Sequence, residues 1–272
     1  MSRFLVRVMY DGTNLRGWQT QTTGRSVQGE LIAALKDLGI AHPNLTGSGR
    51  TDAGVHSLAN YAHFDYNGKM TTQQLVMAMN SKLDSDIMIT GIWQVPDSFN
   101  ARYSAISRTY IYLLARKRTP LNRLYTGYIS GKEIAIEDLR AMSEVLKGSH
   151  NFTSLSKNNP AIPNHNCNIS SFIIEEIKGK IFFQITADRF LHHMVRRIVG
   201  TMANISHLNL SKETILEILE NRCPRQNLVI TAPASGLYLM EVKYPPKFLD
   251  ESYNPDFKEN EMTNSALPHS IK

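Results

Sequence analysis

Cysteine is almost missing from this chain, with only Cys167 and Cys223 in 272 residues. The two form no C-x-x-C pair and have no histidine partners at zinc spacing, which argues against a structural metal site and a disulfide framework. The tandem pair His192-His193 reads as two side chains diverging on a helix, again unlike a metal site. No apolar run approaches the roughly 20 residues that span a bilayer. The N-terminus enters a strand-like pattern by Arg3 with no signal-peptide core. The expectation is a cytoplasmic protein with no membrane, no metal and no disulfide. The one glycine-rich stretch also lacks the Lys-Ser/Thr ending of a P-loop and the G-x-G-x-x-G spacing of a dinucleotide site.

What is present is the composition of a soluble globular protein, 42% hydrophobic and 20% charged, long enough for one large domain or two modest ones. The formal net charge is +6. Its distribution says more than its sum. Arg102, Arg108, Arg116, Lys117, Arg118 and Arg123 lie close together and are interleaved with Tyr103, Tyr110 and Tyr112. Arg189, Arg196 and Arg197 make a second cluster. Such clusters suit a nucleic-acid partner and equally a solvated basic face.

Hydrophobic periodicity predicts the order of elements. Phe4 to Tyr10 alternates as a strand, with Phe4, Val6, Val8 and Tyr10 on one face. Ser26 is a helix cap for a stripe of Val27, Leu31, Ala34, Leu35 and Leu38 that ends at Gly39. A strand over 59–66, a helix over 72–83 and a strand over 87–95 complete the first half. The second half reads as a strand over 108–115, a helix over 136–147 and a polar loop over 151–168. A hairpin of 169–177 and 180–187 joined at Gly179 comes next. Helices over 190–205 and from Ser211 through Leu219 follow, and a last strand spans 236–244. Two α+β halves, 1–105 and 106–245, followed by a flexible tail over 246–272, are the predicted organisation.

The distinctive stretch is Gly47-Ser48-Gly49-Arg50-Thr51-Asp52-Ala53-Gly54-Val55-His56. Three glycines in eight residues disfavour helix and regular strand, and let another backbone or a ligand approach closely. Arg50 and Asp52 lie two apart, so an extended backbone turns both to one side. A guanidinium beside a carboxylate favours its charged form, which suits a nucleophile better than a proton donor. An Asx-turn or a helix N-cap accounts for the same Asp.

The segment Gly49 to His56 resembles the active-site signature of the tRNA pseudouridine synthase A family. Companion blocks follow in the family's order. They are Tyr10-Asp11-Gly12 with Gly17-Trp18-Gln19 and Ser26-Val27-Gln28, then Phe99 to Ala105 with Arg108-Thr109-Tyr110-Ile111-Tyr112. Phe190-Leu191-His192-His193-Met194-Val195-Arg196 and Ala232 to Leu239 complete the set. The resemblance covers nearly all of residues 3–245. It departs at Ser57, where the family has a small Ala, in Asn168-Ile169-Ser170-Ser171, which lacks a common Arg, and at Arg197, where Asn is common.

The resemblance implies an α+β fold of two ferredoxin-like halves, antiparallel-rich sheets merged into one central sheet, helices outside. It implies isomerisation of uridine in the tRNA anticodon stem-loop, at positions 38 to 40, by base flipping, with no cofactor and with a homodimer as the working form. It also implies roles: Asp52 catalytic, with Arg50, Tyr110, Arg196 and Leu237 binding the substrate. Two rivals are a non-catalytic RNA-binding protein on the same scaffold, with no need for the acid, and a phosphate-binding enzyme, which wants a helix with Lys after the loop.

Overall fold

The computed structural model describes residues 1–129, 133–157, 159, 162–220 and 227–248. Cys223 and nearly all of the predicted tail lie outside them. The chain divides into two units: an N-terminal unit of Met1–Ile106 plus the chain from Tyr238 onward, and a C-terminal unit of Ser107–Leu237.

In the N-terminal unit, strand β1 (Ser2–Tyr10) lies between β3 (His56–Tyr66) and β4 (Ile87–Val95), antiparallel to both. A two-residue strand, β2 (Thr46–Gly47), adds to β3. The alternation of β1 sends Phe4, Val6, Val8 and Tyr10 into a core completed by Trp18, Phe64, Ile87 and Ile89. Helix α1 (Val27–Asp37) contributes Val27, Leu31 and Leu35, and α2 (Thr72–Asn80) contributes Leu75 and Met79. Each such side chain is worth about 1.5–3 kcal/mol when fully buried, so the apolar stripes outweigh any single cap.

The caps set the ends. Ser26 Oγ accepts from Gly29 N–H, and Thr71 and Gln74 form a capping box. Helix α2 stops before the predicted Leu83 because Asn80 turns to the sheet: its amide bonds both the N–H and the C=O of Ile89, at 2.7 and 2.9 Å.

The C-terminal unit holds β5 (Ser107–Ala115), β6 (Gly148–Asn151), β7 (Asn166–Ile177) and β8 (Lys180–Ala187), antiparallel throughout in the order β5-β8-β7-β6. The β7–β8 hairpin closes through Lys178 (φ 49°) and Gly179 (φ 72°), the paired positive φ that matches strand twist. Helices α3 (Ile136–Leu146), α4 (Met194–His207) and α5 (Glu213–Glu220) belong to this unit. Helix α3 has no side-chain cap; Leu139, Met142 and Leu146, all buried, carry it. Strand β6 falls partly inside the predicted polar loop. Gly-Ser-His-Asn has no apolar alternation, and only register against β7 makes it a strand.

The last strand, β9 (Leu237–Lys243), returns the chain to the N-terminal unit. There His56 and Ser57 of β3 pair in parallel with Tyr238 and Leu239. Beyond it the chain stays packed to its last described residues, with the Phe248 ring edge-on to Phe99 at 5.3 Å. The described residues thus form a mixed α/β structure with nine strands and five α-helices.

Candidate active site

The glycine-rich stretch leaves the sheet after β2, runs as irregular backbone and re-enters as β3. The chain passes from Asp52 into β3 with no helix starting at the loop, which goes against the helix-cap reading and against the phosphate-loop rival, which wants a helix there. Thr51 is buried, Asp52 half-buried and Arg50 exposed, the alternation expected of an extended Arg-Thr-Asp segment. A tight turn follows, closed by Val55 N–H to Asp52 C=O at 3.2 Å, with Gly54 at φ 79°. That is the left-handed position a type II turn requires.

A second irregular segment, between β1 and α1, grips this loop by its backbone. Trp18 N–H donates to Thr51 C=O at 3.1 Å, and Gly54 N–H to Leu15 C=O at 3.3 Å. The approach is too close for side chains. A Cβ on Gly12 would stand 2.1 Å from Val55 O, and one on Gly17 (φ 86°) 2.4 Å from Thr51 O. This packing is why glycine stands at both positions. At the loop's end, His56 is buried, accepts from Gly12 N–H at Nδ1 and stacks on Tyr238 with ring centroids 4.7 Å apart. Ser57, the departure from the family's Ala, is also buried, and its hydroxyl donates to Leu239 C=O across the β3–β9 pairing.

A buried polar chain lies under the loop. Ser48 Oγ donates to Asn60 Oδ1 (2.8 Å), Asn60 Nδ2 donates to the Tyr10 hydroxyl (3.1 Å), and that hydroxyl meets Thr51 Oγ1 (2.9 Å). Sequence reading missed it. The available signal was Asn60, an amide set between Leu58-Ala59 and Tyr61-Ala62 in a strand. A further tether fixes the Phe99–Ala105 block: Ala101 N–H donates to Nδ1 of buried His63 (3.1 Å), and Tyr244 Oη donates to Ala101 C=O (2.8 Å). Burial, with Arg3 nearby, pushes the His63 pKa down to about 4.

The other predicted site residues belong to the C-terminal unit. Tyr110 sits half-buried on β5, opposite Ile185 of β8, its ring edge-on to Phe190 at 5.1 Å. Arg196 is in the first turn of α4, where its Nε donates to Ala232 C=O (2.8 Å) while Ala232 N–H donates back to Arg196 C=O (3.0 Å). Leu237 is buried at the start of β9. Asp52 and Arg50 therefore share one loop, whereas Tyr110, Arg196 and Leu237 come from three separate elements of the other unit.

Three expectations need correction. Helix α4 begins at Met194 rather than Phe190, because His193 adopts φ 62°, a left-handed conformation that interrupts the helical run. The His192 and His193 side chains accordingly do not diverge on a helix; their ring centroids are 4.2 Å apart. The basic cluster is also thinner than it reads. Arg116 is paired with Glu176 at 2.8 Å and donates to Ile134 C=O, and Arg197 donates to Ser156 C=O at 2.6 Å, with burial lowering its pKa. Lys117, Arg118 and Arg123 are exposed, as is Arg102, which lies over the Tyr103 ring. Cys167 is buried, which pushes its thiol pKa up to about 12. Among the described residues no helix is long and apolar enough to cross a membrane.

A family model described as tRNA pseudouridine synthase matches residues 7–104 and 142–245, taking in the loop, β5's preceding block, α4 and β9. A protein named tRNA pseudouridine synthase A from Thermoanaerobacter sp. (strain X514) is 35% identical over 246 residues, covering 90% of this chain and all of that one. The protein of that name from Bacteroides thetaiotaomicron is 34% identical over 254 residues, covering 92% of this chain and 94% of its own. A solved chain from a Cbf5-Nop10-Gar1 complex aligns with a TM-score of 0.40 at 11% identity, over 90% of this chain and 51% of that one. A likeness that slight says nothing of function. The chain belongs to the tRNA pseudouridine synthase A family, and it is an isomerase.

Proposed function

We propose that this enzyme converts uridine to pseudouridine in the anticodon stem-loop of tRNA, at positions 38 to 40. The observation that carries this reading is the Arg50-Thr51-Asp52 segment itself, its middle residue buried and its two charged residues more exposed, inside the family's signature. The reaction breaks the N1–C1′ bond of the nucleoside and forms C1′–C5. The C5 hydrogen leaves as a proton and N1 ends protonated, so nothing is oxidised or reduced and no cofactor is called for. Attack of a carboxylate at C1′, attack at C6 and a glycal route all use an ionised acid, and Asp52 is that acid.

A stacked base is out of reach, so the nucleotide is flipped out at a cost of a few kcal/mol. Arg50 fills the vacated space or holds the neighbouring phosphate. Tyr110 stacks on the uracil and assists proton transfer, Leu237 is an apolar wall for the base, and Arg196 favours the charged form of the acid. In this reading the two units are ferredoxin-like halves whose sheets merge into one, and the protein works in the cytoplasm as a homodimer, which light scattering checks directly.

Asp52→Asn should reduce turnover by ~10³ or more, in line with removal of a nucleophile, while tRNA affinity stays within about twofold. Tritium release from tRNA carrying 5-tritiated uridine measures the first, because C–C bond formation must expel that hydrogen; filter binding measures the second. Appreciable turnover in that variant would remove Asp52 from its role. Affinity should also drop by at least about tenfold between ~50 and ~200 mM salt if phosphates dominate binding. Salt-insensitive binding would argue against phosphate contacts.

A further inference from the structure

Four polar side chains lie in a line under the Arg50–Asp52 loop, and all four are buried: Ser48, Asn60, Tyr10 and Thr51. The orientation of the Asn60 amide can be assigned. Tyr61 N–H, an obligate donor, binds Asn60 Oδ1 at 2.9 Å, so that atom is the carbonyl oxygen and Nδ2 faces the Tyr10 phenol. With its oxygen accepting from Asn60, the phenol keeps its own proton for one of its two hydroxyl partners, Thr51 Oγ1 at 2.9 Å or Ser57. Burial pushes the Tyr10 pKa up to about 12, so it keeps that proton at neutral pH.

Packing alone does not ask for this arrangement. A Phe would fill the Tyr10 volume, and buried polar groups cost stability unless each is satisfied. The backbone is also locally rebuilt around Tyr10. The β1–β3 register slips between Val8, which faces Asn60, and Tyr10, which faces Ser57. Bulges of this kind re-aim a side chain, and here the re-aimed side chain ends on the residue between Arg50 and Asp52.

We propose that Tyr10 is a positioning residue for the reaction: through its hydroxyl it holds Thr51 inward and thereby fixes the outward aim of Arg50 and Asp52. This rests on the role given to Asp52 above. Tyr10 touches no substrate; it acts through Thr51.

The test compares Tyr10→Phe, Thr51→Val, the double variant, Thr51→Ser and Asp52→Asn in steady-state tritium release, with thermal unfolding followed by circular dichroism. Each of Tyr10→Phe and Thr51→Val should lose roughly 10- to 100-fold in kcat, the scale of a small misplacement at a reacting centre, with KM for tRNA within about twofold. The double variant should be no worse than the worse single one, since both break the same contact, and Thr51→Ser should recover most of the loss. Loss confined to KM, losses that multiply in the double variant, or kcat within about twofold of the parent in folded single variants would each overturn the proposal. Should Tyr10→Phe not fold, Thr51→Val carries the same decision. Turnover retained in Asp52→Asn would instead remove the underlying assignment, whereas an inactive Asp52→Asn beside fully active Tyr10 and Thr51 variants would remove only the role of Tyr10.

Discussion

The two units hold their candidate residues by different means. In the C-terminal unit, Tyr110 and Arg196 sit on a strand and a helix, so element periodicity aims their side chains, and a contact with Phe190 or Ala232 finishes the job. In the N-terminal unit, Arg50 and Asp52 sit on irregular backbone with no periodicity to aim them. Their loop is held by glycine-to-backbone contacts at Gly12 and Gly17 and by the buried hydroxyls of Tyr10 and Thr51. A residue on a regular element tolerates changes around it. A residue on a loop inherits every change made to the loop's supports.

That contrast is easiest to break at Gly12. Gly12→Ala places a methyl against the Val55 carbonyl, and overpacking of this kind costs about 1–3 kcal/mol. Turnover should fall further than the lost stability explains; chemical unfolding set beside tritium release would show it. A change in stability with activity retained would mean that the loop recovers its aim without this support.

Next in size is the tether at His63. Its folded pKa of about 4 lies below the ordinary histidine value of 6.5. Between those values the unfolded chain binds more protons than the folded one, so stability falls as pH drops from about 6.5 toward 4. A loss on the order of 2 kcal/mol is expected over that window, read as a shift in urea midpoint at successive pH values. His63→Gln, which can still accept from Ala101 N–H, should flatten the dependence. The same slope in that variant would move the effect to another group.

The smallest effect belongs to a regular element. Ser26→Ala removes the α1 cap and should cost about 1 kcal/mol, seen in thermal unfolding, with kcat nearly unchanged. A larger loss of kcat would show that even the capped helix governs the loop.

Legibility in the sequence follows the same division. Strand β1 and the β7–β8 hairpin were readable because alternation and a Gly turn are local signals. So was the Ser26 cap. Strand β6 and the pairing of Arg116 with Glu176 were not, since each depends on a partner elsewhere in the chain, and the left-handed His193 was not, since a helical stripe runs through its position without marking the break. At the site, the Arg-Thr-Asp alternation could be read from spacing alone. The supports beneath it could not, because Tyr10, Asn60 and Thr51 meet only after β1 and β3 pair, with a slip that no local pattern announces.

The return of β9 to β3 has a consequence for synthesis. Ser57 and Leu239, hydrogen-bonded in the finished protein, are 182 positions apart. During translation the whole of the C-terminal unit is made before the strand that flanks His56 and Ser57 exists. The half that carries Asp52 is therefore begun first and finished last, and a chain released short of β9 would leave Ser57 paired on the β1 side alone and His56 without Tyr238.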